Sequence, residues 1–420
     1  GVAILAQSSV GGLAGVVTER GTPTAPTKIE GVHLISGSVS GTSSVGGLVG
    51  TLGGSEIRRS SADCSVSGVD QCMGGLVGLV NASAAAPATI SECHAAGNVT
   101  ASGIGAGDSV GGLAGNVFRS CTITQSSASG KVTGKARVGG LMGTNAGEVS
   151  RCFATGDVKG IGAAVDTGSV GGLVGHNSGG QISRCYAVGA VNSTNKAAGG
   201  LVGTNTYDGA IGDCYAMGAV QGVSQVGGLV GSNWGTITCT YATGLVTGES
   251  LRGGLIGEGT EKCTNSYWDT DTSGCSSSVG GPGVVGKTTA EMKQQDTYAG
   301  WDFAETWAID ARQNSGYPFL ITVTPVGPGT PDSGAVALDK AALTWSVIKG
   351  ENDEQDNITG DLVNPLPTSG ANGTTISWSV SHGGFINTTT GAVTRPAFTE
   401  GNQTVTLTAT ISKGEASDTV

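Results

Sequence analysis

Three features of this 420-residue chain predict an all-β fold: a β-solenoid (β-helix) of about nine Gly-Gly-Leu repeats with an aromatic C-terminal cap, followed by a small antiparallel β-sandwich. A pentapeptide, Gly-Gly-Leu then Val, Ala, Met or Ile, then Gly, recurs nine times. Gly supplies 76 of 420 residues, against a usual share of ~7%. Beyond residue 335 the text changes style, with stretches that alternate apolar and polar residues.

The repeats come first. Their leading glycines are Gly11, Gly46, Gly74, Gly111, Gly139, Gly171, Gly199, Gly227 and Gly253, spaced 35, 28, 37, 28, 32, 28, 28 and 26 residues apart. A minimum unit of 28 with short insertions is how loops on a solenoid behave. Gly-Gly is expected to turn a corner closed to other residues, with Leu and Val filling the interior. About eleven residues on, a second block reads Ile182-Ser-Arg-Cys-Tyr-Ala-Val-Gly-Ala-Val191 and Ile211-Gly-Asp-Cys-Tyr-Ala-Met-Gly-Ala-Val220. Each unit thus carries three short β-like segments between turns. No unit can bury its own apolar residues, so neighbours must stack, giving a rod about 45 Å tall. Asn145, Asn177, Asn205 and Asn233 share one position and are expected to form an inward amide ladder.

Gly-Gly-Leu-Val-Gly with a downstream Cys-Tyr-Ala-x-Gly-x-Val resembles the GLUG motif repeats of bacterial surface proteins. That resemblance covers roughly residues 1–320, with the repeats themselves in 1–262, and implies a secreted or wall-attached, adhesin-like setting; it supplies no catalytic residue.

Residues 263–323 read as the cap. Thr288 or Thr289 can begin a short helix, with Glu291 placed for a capping box. Trp268, Trp301, Trp307, Phe303, Tyr317 and Phe319 cluster there, as a plug over the open solenoid core would require. Residues 324–334 are a Pro/Gly linker by composition. In 335–420, Thr375–Val380 and Gln403–Ile411 alternate with period two, and the segment resembles the bacterial Ig-like domains that act as spacers in surface proteins. It lacks Cys, and its final strand is expected to lie beyond Val420.

A formal charge of −11 argues against nucleic-acid binding, which needs a basic footprint. No apolar run approaches the ~18 residues of a membrane span, so none is expected in this fragment, which reads as part of a longer protein.

Several motifs mimic chemistry. Gly281–Thr288 fits the phosphate-loop pattern, but no strand precedes it and no long helix is expected after it. Gly107-Asp-Ser-Val-Gly111 fits a nucleophile elbow, yet Ser9, Ser44 and Ser169 hold the same repeat position as Ser109. The histidines, His33, His94, His176 and His382, form no H-E-x-x-H. Asp269-Thr-Asp-Thr-Ser-Gly274 matches half an EF-hand loop; turn-forming Asp is the plainer reading, and Ca²⁺ the only cofactor left open.

Ten cysteines raise the disulfide question. Cys93, Cys152, Cys185 and Cys214 share a repeat position, where stacked thiols are expected and bridges are geometrically open. Cys64 with Cys72, and Cys263 with Cys275, are the better disulfide candidates. Phe153, Tyr186, Tyr215, Tyr241 and Tyr267 follow that position in successive coils. Facing inward they are core, the favoured reading; facing outward they form a ligand face suited to sugar rings.

The function these readings predict is a non-enzymatic extracellular structural or adhesive rod, meeting surface or matrix glycans, proteins, or copies of itself. The alternative is an ancillary or glycan-binding region of a large secreted peptidase or glycan-degrading enzyme.

Overall fold

The computed structural model describes residues 2–321 except 19–25, 104–107, 163–167, 207, 261 and 312, and residues 336–420 except 337, 338, 341, 356, 371, 372, 398, 400, 414 and 415. The chain divides into two units, Gly1–Gly329 and Thr330–Val420. The linker assigned to 324–334 lies outside the described residues.

The first unit is a solenoid of parallel strands. One coil shows the pattern: Ser169–Gly171, Val174–Asn177, Gln181–Ser183, Tyr186–Ala187 and Val191–Ser193. Each strand pairs with its counterparts one coil back and one coil on, so Val170 meets Val138 and Ala198, and Asn177 meets Asn145 and Asn205. The described coils build three nine-stranded sheets and one of seventeen strands, to which most coils give two strands and two give one long strand, Ala210–Ala216 and Thr236–Ala242. The unit therefore holds five short strands where three were expected.

Superposing like residues makes the core a set of columns. The Leu of the pentapeptide is buried from Leu48 to Leu255, each burial worth roughly 1.5–3 kcal/mol. Leu13 of the first coil is 52% exposed, because no described coil covers it.

The paired glycines act through space, not conformation. A Cβ on Gly172 would lie 2.0 Å from the carbonyl oxygen of Gly200 and 3.0 Å from the Ala187 side chain. The same clash recurs at Gly140 and Gly200, and none of the three has a positive φ. The expectation of a glycine-only corner is corrected: backbones of adjacent coils approach too closely for any side chain. Left-handed corners do occur, but at non-glycine residues: Arg59, Glu92, Gln125, Arg151, Arg184, Asp213, Cys239 and Asn265 all have φ near 50°. In most coils that corner splits the strand before the Cys position from the strand after it, whereas Ala210–Ala216 and Thr236–Ala242 run through it unbroken.

The end of the solenoid is closed twice. Trp268 stands in register with Ala242 and packs over Gly254, plugging the interior with an indole. The strand Ser266–Asp269 is then covered by Val284–Lys287 in parallel. The helix Thr289–Met292 follows, with the Thr288–Glu291 capping box in place. Residues 292–320 fold back along the flank of the coils.

In the second unit, Thr375–Val380, Leu407–Lys413 and Ala416–Thr419 form one antiparallel sheet. Val336, Ile376, Ala409 and Ile411 are its core, with Leu343 and Trp378 packed alongside. Among the described residues this is one sheet with helical residues at 336, 339, 340 and 342 and a short helix, Trp345–Ile348, where a two-sheet sandwich was expected.

Candidate functional site

Three side-chain ladders run along the solenoid, and a fourth feature interrupts the pattern. The amide ladder is as expected. Asn145 donates to Asn177 at 2.9 Å, Asn177 to Asn205 at 2.8 Å and Asn205 to Asn233 at 2.8 Å. Each Nδ2 also reaches a turn carbonyl, at Gly147, Gly180, Gly209 and Gly235. All four asparagines are fully buried, so the ladder satisfies polar groups that water cannot reach.

The cysteine ladder is a hydrogen-bond device. At the left-handed corner the backbone cannot continue its own ladder, and the next side chain takes over. Cys185 Sγ donates to the Ser183 carbonyl at 3.1 Å and accepts from the Cys152 N–H at 3.4 Å. Cys152 repeats this with Ser150 and the Ser126 N–H, and Ser126 with Thr124 and the Cys93 N–H. Ser60 and Ser266 occupy the same place with the same bonds. A thiol or hydroxyl both fits and bonds here.

All ten cysteines are free and buried, so the disulfides expected between Cys64 and Cys72 and between Cys263 and Cys275 are absent. Loss of hydration pushes the thiols of Cys64, Cys72 and Cys263 up to about 11 and that of Cys93 up to about 12. They remain protonated, and as thiols they are poor nucleophiles.

The aromatic ladder occupies the outer side of the same strands. Ring centroids lie 5.0 Å apart between Phe153 and Tyr186, 4.9 Å between Tyr186 and Tyr215, and 5.0 Å between Tyr215 and Tyr241, with planes within 8°. These rings belong to neither of the alternatives posed from sequence. They point away from the solenoid interior, yet the returning cap covers them: Phe153, Tyr186, Tyr215 and Tyr267 are 5–8% exposed and Tyr241 not at all. Met292, Tyr298, Trp301, Trp307, Tyr317 and Leu320 complete this second core. A face open to sugar rings is therefore not presented, because the cap occupies it. Hydrogen bonds fasten the cap: Trp307 Nε1 to Asp213 at 3.1 Å, Tyr241 Oη to the Pro318 carbonyl at 2.7 Å, Trp301 Nε1 to the Asn265 carbonyl at 2.8 Å.

Asp269 is the hub of that closure. Its Oδ1 accepts the N–H groups of Asp271 and Thr272, and its Oδ2 accepts the hydroxyls of Thr289 and Tyr317, both at 2.6 Å. Protein donors thus use the carboxylate that an EF-hand reading would give to Ca²⁺. Among the described residues no group of three or more His, Cys, Asp or Glu side chains is placed to hold a metal. Lys287 of the phosphate-loop look-alike sits on a strand and bonds Glu291 at 3.2 Å. Ser109 bonds Thr144 of the next coil at 2.8 Å, as Ser169 bonds Thr204, which assigns both to the repeat.

The interruption lies between those two serine rungs. Arg137 is in register with Ser109 and Ser169, and His176 with Thr144 and Thr204. Arg137 lines a cavity of about 660 Å³ together with Asn81, Asn116, Phe118, Arg119 and Thr144. The departure of Arg137 from a repeat Ser was the sequence signal that could have found it.

Comparison with known proteins places the repeats and the C-terminal unit in known families. The GLUG motif matches residues 106–133, 166–192 and 194–221, and the atrophied bacterial Ig domain matches 336–420. The chain is thus a run of GLUG repeats followed by an atrophied bacterial Ig domain. It is similar to a protein of Evansella cellulosilytica named as a Gly-rich membrane protein, 37% identical over 177 residues, which are 41% of this chain and 18% of the relative. It is also similar to halomucin of Haloquadratum walsbyi, 34% identical over 172 residues, or 38% of this chain and 2% of that one. The matches span small parts of both relatives. A crystal structure of a protein from Bacteroides ovatus named as an immunoglobulin A1 protease aligns over 69% of this chain and 76% of that one. At 18% identity and a TM-score of 0.36 it is too distant to speak for this chain.

Proposed function

We propose that this chain is a non-catalytic extracellular module, a stiff and adhesive repeat rod of a surface protein. The observation that carries the reading is the fate of its polar side chains. Asn, Cys, Ser and Asp residues that resemble chemistry are spent on ladders from coil to coil or on fastening the cap. Parallel backbone pairing through every coil resists bending, and a lateral face repeated once per coil suits contact with extended partners. The names of the two relatives, a membrane protein and a halomucin, support a surface setting. No helix among the described residues is long and apolar enough to cross a membrane.

The test is to label intact cells of the source organism with antibody against this chain, then delete residues 1–321 from the gene. Surface labelling and weakened attachment are expected. Labelling only after lysis, or hydrolysis of peptide or glycan that maps to this chain, would overturn the proposal. The latter result would favour a working part of a secreted hydrolase.

A further inference from the structure

We propose that the cavity bordered by Arg137 and Phe118 binds the carboxylate of an acidic glycan. This deepens the adhesive half of the function proposed above and does not depend on the rod.

In the flanking coils, this corner of the solenoid is closed by a pair of hydroxyls: Ser109 with Thr144 and Ser169 with Thr204, each at 2.8 Å. Between them the pair becomes Arg137 and His176. Two hydroxyls satisfy one another, whereas a guanidinium only donates. The consequence is visible in the geometry: Arg137 Nε and His176 Nδ1 are both buried and neither has a hydrogen-bond partner. An orphaned buried donor is costly, more so when charged, and repeats on either side show that a cheaper solution was at hand.

A ligand cannot reach those two buried nitrogens, but Arg137 also borders the cavity, and the cavity's lining says what the guanidinium could hold there. The charged residues that line the cavity, Arg119 and Arg137, are both cationic, in a chain of net charge −11. A carboxylate meets a guanidinium with short, charge-assisted bonds. Asn81, Asn116 and Thr144 add amide and hydroxyl groups of the kind that pair with sugar hydroxyls. Phe118, 45% exposed at the same rim, offers a ring for the apolar face of a pyranose. Asn81 opens the inserted segment 81–87 that walls one side, which the 28-residue repeats lack. An acidic peptide would use the arginines but has less need of the amides and the ring.

The repeat supplies its own controls. The double variant Arg137→Ser/His176→Thr rebuilds the rung found in neighbouring coils and should fold, as should Arg137→Ser alone with its smaller side chain; thermal melts verify both. The probe is tetragalacturonate, titrated calorimetrically into the full chain beside cellotetraose and hexaglutamate. Saturable binding of tetragalacturonate alone is expected, weakened about tenfold or more by Arg137→Ser and several-fold by Phe118→Ala. No saturation, equal binding of cellotetraose, or an unchanged affinity in Arg137→Ser would overturn the proposal. Hexaglutamate binding as tightly would overturn it in favour of a protein partner. With the melt unchanged, any of these sinks the site and leaves the rod standing.

Discussion

Cys185 shows how much a single residue decides in this molecule. Its thiol spans the left-handed corner at Arg184, giving a proton to one carbonyl and taking one from the coil before. Any side chain that can do both suffices, which is why Ser60, Ser126 and Ser266 alternate with cysteines down the column. Cys185→Ser should therefore leave the thermal midpoint nearly unchanged. Cys185→Val keeps the bulk but strands the buried Cys152 N–H, while the Ser183 carbonyl keeps the Arg151 N–H, and should cost about 1–3 kcal/mol in denaturant unfolding. Equal loss in both variants would show that packing, not hydrogen bonding, sets this position.

At the scale of elements, the cap and the column stabilise one another. The parallel rings from Phe153 to Tyr241 would be an exposed apolar stripe without residues 292–320 laid over them. Trp307 is the keystone: fully buried, 4.4 Å from the Trp301 centroid and bonded to Asp213. Trp307→Ala should lower stability by about 3–5 kcal/mol and expose the column, read as loss of near-ultraviolet dichroism and faster proteolysis within 292–320. A loss under about 1 kcal/mol would mean that the cap is held chiefly by its hydrogen bonds.

For the whole solenoid, stability is a sum over neighbours, so coils covered on both sides should open last. In the first coil Leu5, Leu13 and Val16 are at least half exposed, whereas Leu173 and Val174 are fully buried. Hydrogen exchange should run at least an order of magnitude faster over Ala14–Val17 than over Val174–Asn177. Uniform protection would require cooperativity beyond nearest neighbours.

By themselves the residues determined the solenoid, its number of coils, the asparagine ladder and the capping box. Each follows from periodicity or from contacts within a few residues, which a linear string records directly. Tertiary structure alone decided why the glycines are paired, since the clash they avoid is with the next coil. It also decided that the cysteines are hydrogen-bonding thiols and not disulfides, because the corner before each becomes visible only in the backbone. The fate of the tyrosines was beyond reach for the same reason: a segment that begins twenty-five residues after Tyr267 and ends 134 after Tyr186 covers them. Likewise, an arginine in place of a serine is an unremarkable repeat variation until the unpartnered nitrogen and the cavity beside it are seen together.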